Sequence, residues 1–430
     1  MGDGGAPIPR DPLLRRPAGP PLERGGVRPP GSRCRTCARR PRAPPASPDH
    51  RNPGRRDGRQ ERLRPRRRPA RAPAHRRGAA ARRSLTVLGY LVARRLTAPP
   101  HPRRHPLTVH SSGPTTVTLD ATPSTTVPGD WGLFVAGGGH ARVRGFPRVD
   151  AARATWDLAP GSSPPPPGSR VSWTGIVDPS PPAGTRTHRL PAGDAWQVGD
   201  VADAPLVAVH LHGLGSTRAG TLRGVAAATA AGLPSLVPAY RNTLDGRRLG
   251  RGRSHLGLTE TDDLVDALRL LDDVGVRRFV LFGWSMGAQL CLRLAADGAW
   301  AARIDRIVLD SPVLDWRAVL AANVTAAHLP QAAAASAARW LRRPRALGLD
   351  TPVDLDDADF VARAPEVRHP VLVHHGTRDW SVPLASSRRF VEGAPAAELV
   401  TSGGGHTTGW NVDAASWQAA TARFLAAPSS

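Results

Sequence analysis

Three side chains in the C-terminal half have the types needed to move a proton and attack a carbonyl. They are Ser285 in FGWSMGAQ, Asp379 in HHGTRDWSVP and His406 in TSGGGHTTGW. A serine hydroxyl is a weak nucleophile at neutral pH; it needs a general base, and the base needs a partner that fixes its tautomer. Nucleophile, acid and base occur here in that chain order. The G-x-S-x-G pattern around Ser285 is weak on its own in a chain with 44 glycines among 430 residues. Whether the serine is activated depends on the elements that surround it.

RFVLF, just before the motif, reads as a buried strand, and Leu290, Cys291 and Leu294 after it recur at helical spacing. A serine at a strand–turn–helix junction is a nucleophile elbow. Small neighbours let the backbone turn sharply, the hydroxyl projects above the sheet, and the next helix offers free N–H groups. Met286 N–H is then one oxyanion donor. Upstream, VHLHGLGSTR sets Gly213 after another apolar run, where the backbone can curl to aim the Leu214 N–H at the same oxyanion.

Rivals stand beside each role. Asp310, in VLDSPVLDW, ends the preceding strand and competes for the histidine; Asp379 is preferred because it follows the last apolar strand. His374 and His375 read as core-edge residues, and His212 as a side chain that orients its loop. Trp284, Trp380 and Trp410 lie beside the three reacting positions, to line an acyl pocket or to pack. Arg241, with Asn242, follows the second apolar run; it binds a substrate carboxylate or carbonyl, or else pairs with Glu260.

The apolar runs 206–211, 235–237, 279–282, 307–309 and 371–374 are short and continuous, as strands buried on both faces require, and helical stretches separate them. One helix is expected to be capped by Thr259-x-x-Asp262, to turn Leu264, Leu268, Leu271 and Val274 inward, and to stop at Gly275. The last opens near Asp413 and stacks Trp417, Ala420 and Phe424. This alternation predicts a doubly wound, mostly parallel α/β fold over 204–430, with an Ala-rich helical lid at about 313–369. Ahead of it, 111–203 reads as leading antiparallel strands or a small β subdomain, with strands at 115–119 and 131–135 and a proline loop at 162–168.

Charge divides the chain. All 59 basic residues are arginine, which excludes Schiff-base lysines, Ser–Lys dyads and P-loop lysines. Residues 1–110 hold 28 arginines against 6 acids, whereas 111–430 hold 31 against 29. Residues 1–83, rich in Arg and Pro, are expected to be a disordered arm, because little apolar surface offsets the ordering entropy. Its arginine density gives a second functional class, a nucleic-acid or anionic-membrane binder with an idle body, although no aromatics interleave for base stacking. Cys34, Cys37 and His50 mimic three zinc ligands without a fourth, so no metal is expected. Cys291 reads as a core residue. In the 84–110 segment the apolar run Leu85–Ala93 is about half the ~20 residues a membrane helix needs. A short buried helix and an interfacial anchor through 84–97 both remain open. Cytoplasmic and membrane-associated locations therefore both stand, and oligomeric state is not encoded legibly.

Residues about 205–425 resemble the α/β-hydrolase family, in particular its prolyl-oligopeptidase-like and acylaminoacyl-peptidase-like single-domain branch. The matching stretches are HGLGSTR, YRN at 240–242, GWSMGA, HGTRDWSVP and GGGHTTGW. The resemblance implies a Ser285–Asp379–His406 triad with Leu214 and Met286 as oxyanion donors. It also implies acyl-enzyme cleavage of a small-molecule carboxylic ester, or of a short peptide or amide, with no cofactor and no specific nucleic acid. Relatives of this kind often begin with a membrane helix leading into a segment like GYLVARRLTAPP; here arginine-rich sequence stands in place of most of it. Position 288 is Ala where many relatives have a second Gly. The lipase-type HGGG is absent, so a long-chain lipase is not supported.

Overall fold

A computed structural model describes residues 74–428, with side chains from Ser84 onward. Most of the expected arm, its polyanion-binding reading, and the Cys34, Cys37 and His50 cluster lie outside the described residues. Helix α1 (Ala74–Leu96) begins inside the stretch assigned to the arm. It packs on the helix Ala332–Leu341: Ala93 is fully buried, the Tyr90 ring meets Trp340 edge-on at 5.3 Å, and Trp340 Nε1 donates to Thr86 O. No helix among the described residues is long and apolar enough to cross a membrane.

Six strands follow: β1 (Leu107–Ser112), β2 (Thr116–Asp120), β3 (Gly129–Val135), β4 (His140–Val149), β5 (Arg153–Leu158) and β6 (Arg170–Thr174). They close a barrel in the order β1–β2–β5–β4–β3–β6, every pair antiparallel. Alternation fills it, with Val117, Leu119, Leu133, Val143 and Trp156 pointing inward and fully buried. Strands β7 (Arg186–Arg189) and β8 (Asp194–Val198) instead form an antiparallel edge of the main sheet. The leading strands thus divide between the barrel and the edge of the main sheet, and the first of them starts at Leu107.

The main sheet continues with β9 (Val207–Leu211), β10 (Ser235–Pro238), β11 (Phe279–Trp284), β12 (Ile304–Asp310), β13 (Val371–Gly376) and β14 (Ala397–Ser402). Its order is β14–β13–β12–β11–β9–β10–β8–β7, parallel from β10 to β14. The helices are α2 (Leu222–Ala230), α3 (Thr261–Asp272), α4 (Met286–Ala296), α5 (Trp316–Ala326), α6 (Ala332–Leu341), α7 (Pro344–Leu347), α8 (Leu384–Gly393), α9 (Gly409–Val412) and α10 (Ala414–Ala426). Strand parity explains the two layers. Phe279 and Leu281 join the cluster holding Leu264, Leu268 and Leu290, while Val280 and Phe282 join Ala228, Trp417 and Phe424 on the other face.

Helix α3 departs from expectation at both ends. Glu260, not Thr259, is its N-cap, and the buried Thr259 hydroxyl has no hydrogen-bond partner. Val274 lies past the helix and is 39% exposed, whereas Leu264, Leu268 and Leu271 are buried. Helix α10 behaves as its sequence requires: the Asp413 side chain accepts from Ser416 N, and Trp417, Ala420 and Phe424 face inward.

Candidate active site

Ser285 sits between β11 and α4 with φ +52 and ψ −114, a backbone conformation rare for a residue with a side chain. The structure around it dictates that turn. Ser285 N donates to Asp310 O of β12, and Ser285 O accepts from Val313 N and Ala288 N. The motif glycines are there for close approach. A Cβ on Gly287 would stand 2.0 Å from Leu211 O, and one on Gly283 would stand 2.7 Å from Ala288 Cα.

His406 Nε2 lies 2.9 Å from Ser285 Oγ, and His406 Nδ1 lies 2.7 Å from Asp379 Oδ2. Asp379 Oδ1 accepts from Ser381 N at 3.0 Å and Val382 N at 2.8 Å. Burial pushes the Asp379 carboxyl upward, but hydrogen bonds from His375, His406 and Val382 outweigh it and hold the group well below the usual carboxylate range. The acid is therefore charged at neutral pH and pins Nδ1–H, which leaves Nε2 as the acceptor facing the hydroxyl. The rival Asp310 is engaged elsewhere: its oxygens accept from Trp417 Nε1 and Ser311 Oγ, both at 3.2 Å.

Leu214 and Met286 both lie beside Ser285. Met286 opens α4, where leading N–H groups lack intrahelical acceptors, and Leu214 lines the same cavities as Ser285. His212 braces this loop from behind. It is buried, its ring stacks on Tyr240 at 4.5 Å, its Nδ1 lies 3.0 Å from Gly213 O, and Tyr240 Oη donates to His212 O at 2.6 Å.

Two cavities meet at Ser285 and His406, and a third reaches His406 alone. An apolar one of about 530 Å³ lies under α5 and against α1, bounded by Leu88, Leu91, Val319, Leu320 and Val324. A polar one of about 200 Å³ lies over Leu214, with Arg103 and Arg223 in its wall. A third, about 470 Å³, is walled by Trp131 and Trp173 of the barrel and by Trp380 of the acid loop. Trp380 is 67% exposed at that rim, whereas Trp284 is buried under the polar cavity and Trp410 is buried in the core. Arg241 is a correction: it grips Asp263 through its backbone N–H, Nε and a terminal nitrogen, and it does not border these cavities. Its partner is not Glu260, which accepts from Ser254 Oγ, His255 N and Gly257 N.

Several supports carry no signal in the sequence. Ser311 Oγ accepts from Thr407 N, and Arg223 donates to Thr407 O, so the residue after His406 is held from both sides. Asn411 donates its amide to Asp130 O and Gly175 O, tying the barrel to the histidine loop. No spacing rule points to these residues; each is defined by a contact between distant segments.

Residues 208–426 match the family model described as "Alpha/beta hydrolase family", and residues 108–174 match one described as "Domain of unknown function (DUF8805)". Among solved structures, the chain is similar to an esterase of Pyrococcus furiosus at 18% identity, over 58% of this chain and 98% of that one, with a TM-score of 0.44. It is similar to an enol-lactonase from Burkholderia xenovorans at 21% identity, over 57% of this chain and 98% of that one, with a TM-score of 0.40. It is also similar to 2-hydroxy-6-oxo-6-phenylhexa-2,4-dienoate hydrolase from a Rhodococcus strain at 18% identity, over 56% and 99%, with a TM-score of 0.41. No curated protein matches the chain.

Proposed function

The chain belongs to the alpha/beta hydrolase family, and within that family we propose that it is a serine hydrolase that cleaves a small carboxylic ester through an acyl-enzyme. Ser285 Oγ attacks the carbonyl carbon while His406 Nε2 takes its proton. The Leu214 and Met286 N–H groups receive the developing oxyanion. His406 then returns the proton to the leaving oxygen as its bond to the acyl carbon breaks. Water, deprotonated by His406 in turn, releases the acid from Ser285, and Asp379 steadies the imidazolium formed at each step.

The observation that carries this reading is the unbroken relay, 2.9 Å from Ser285 Oγ to His406 and 2.7 Å from His406 to Asp379. The apolar cavity beside it suits a hydrocarbon acyl chain. That favours an ester over the short peptide implied by the prolyl-oligopeptidase-like resemblance, because the lining offers few partners to a peptide backbone. The test is labelling with a fluorophosphonate, followed by turnover of p-nitrophenyl esters. Wild type should label and Ser285→Ala should not, with turnover lowered on the order of 10⁶-fold. Undiminished ester cleavage by Ser285→Ala ends the proposal.

A further inference from the structure

We propose that the small polar cavity beside Ser285 holds a carboxylate carried by the leaving half of the substrate, and that Arg103 is the residue that recognises it. This deepens the serine-hydrolase reading and rests on it.

The cavity wall holds two guanidinium groups, Arg103 and Arg223, and no acidic residue. Arg103, on the segment between α1 and the barrel, is half-buried, with its guanidinium carbon 4.0 Å from the centre of the Phe134 ring. It makes no ion pair with a described carboxylate, and burial draws its pKa below the ordinary arginine value. Arg223 donates only to uncharged acceptors, Gly175 O, Asn411 Oδ1 and Thr407 O, and its buried Nε has no partner. Elsewhere in the body Arg218 pairs with Asp245, Arg241 with Asp263, and Arg342 with Asp354 and Asp356. Here two guanidiniums line one small cavity and neither is hydrogen-bonded to a carboxylate.

Arginine cannot escape desolvation by losing its proton, so a partly buried, unpaired guanidinium carries a free-energy cost that an arriving anion relieves. A carboxylate fits its planar fork through two parallel hydrogen bonds. The division of the site then assigns the halves of the ester. The larger apolar cavity takes the acyl chain and the polar one takes the alcohol half, because these two meet at Leu214, Ser285 and His406, whereas the tryptophan-walled cavity does not border Ser285. In the balanced reaction the ester C–O bond breaks as the Ser285–acyl bond forms, and His406 protonates the leaving oxygen. A hydroxy acid departs with its carboxylate on Arg103, and water later releases the fatty acid.

The test compares hexanoyl glycolate with hexanoyl glycolamide, which share an acyl chain and differ in the charge of the alcohol half. Wild type should favour the charged ester by roughly 10- to 100-fold in kcat/KM, mostly through KM, with the preference weakening as salt rises. Arg103→Gln should collapse that ratio and Arg103→Lys should restore part of it. Thermal melting and fluorophosphonate labelling check that each variant is folded and that Ser285 reacts. A wild-type ratio near one overturns the proposal, as does a ratio unchanged in Arg103→Gln. So does preference for a charged acyl half joined to a neutral alcohol. Normal labelling in those cases leaves the serine-hydrolase reading standing; absent labelling of wild type removes both.

Discussion

His375 Nε2 lies 3.4 Å from the Asp379 oxygen that His406 Nδ1 reaches at 2.7 Å. Val382 O, 3.1 Å from the same His375 nitrogen, can only accept, so Nε2 carries a hydrogen that also points toward the carboxylate. The His375 ring is buried and its Nδ1 is taken up by Ser387 Oγ at 2.8 Å. On the proposed mechanism, His375 positions Asp379. His375→Leu should lower kcat about 10-fold with KM unchanged, the size of one charge-assisted contact. A lowered melting temperature with unchanged kcat would show that the ring only packs.

The two candidate acids separate by experiment as cleanly as they do in space. Asp379→Asn replaces the partner of His406 and frees the wrong tautomer, so kcat should fall on the order of 10³- to 10⁴-fold. Asp310→Asn touches Trp417 and Ser311 instead, so kcat should stay within about 10-fold of wild type. Equal losses at both positions would refute the assignment of the acid.

Stability should decline in mild acid. Burial pushes His210 down to about 3 and His374 down to about 4, against an ordinary value of 6.5. Between these values the unfolded rings bind protons and the folded ones do not, so stability is full above pH 6.5 and falls as pH drops toward 4. Each ring should cost about 2 kcal/mol between pH 6.5 and 5. Urea midpoints at pH 7.5 and 5.0 measure the effect, and His374→Asn should reduce the difference. Midpoints that coincide at the two pH values would contradict it.

The apolar cavity can be shortened from two sides. Leu320 on α5 is buried in its wall, and Leu91 on α1 borders it while remaining 53% exposed. Leu320→Trp should move the preferred acyl length down by roughly two to four carbons, since the added ring fills space the chain would occupy. Leu91→Arg should raise KM for octanoate esters and leave acetate esters near wild type. A chain-length profile that does not move with either change would place the acyl group elsewhere.

What the sequence disclosed follows the distance over which each feature is specified. The strand–turn–helix around Ser285 and the Gly-rich loop at His406 are local patterns, and the fully buried strands β11, β12 and β13 announce themselves as continuous apolar runs. β14 is only half-buried and gives no such run. Barrel closure rests on β1 pairing with β6, Leu107 opposite Val171, a match between remote segments that alternation alone does not declare. Arg241 takes Asp263 rather than the expected Glu260 because α3 begins at Thr261, which turns Asp263 toward it and leaves Glu260 to bind the preceding loop. Arg103 looks like any other of 59 arginines until the fold buries it without a counter-ion.

Neither α1 nor the barrel bears Ser285, Asp379 or His406, yet both bound the spaces around them. On the proposed reading, part of the discrimination is thereby written in a length of polymer that carries none of the reacting groups. Substitutions before residue 175 would retune which molecules are admitted while leaving Ser285, Asp379 and His406 as they are. A clone trimmed to the family-matching 208–426 would keep the wall supplied by α5 and lose those supplied by α1 and the barrel.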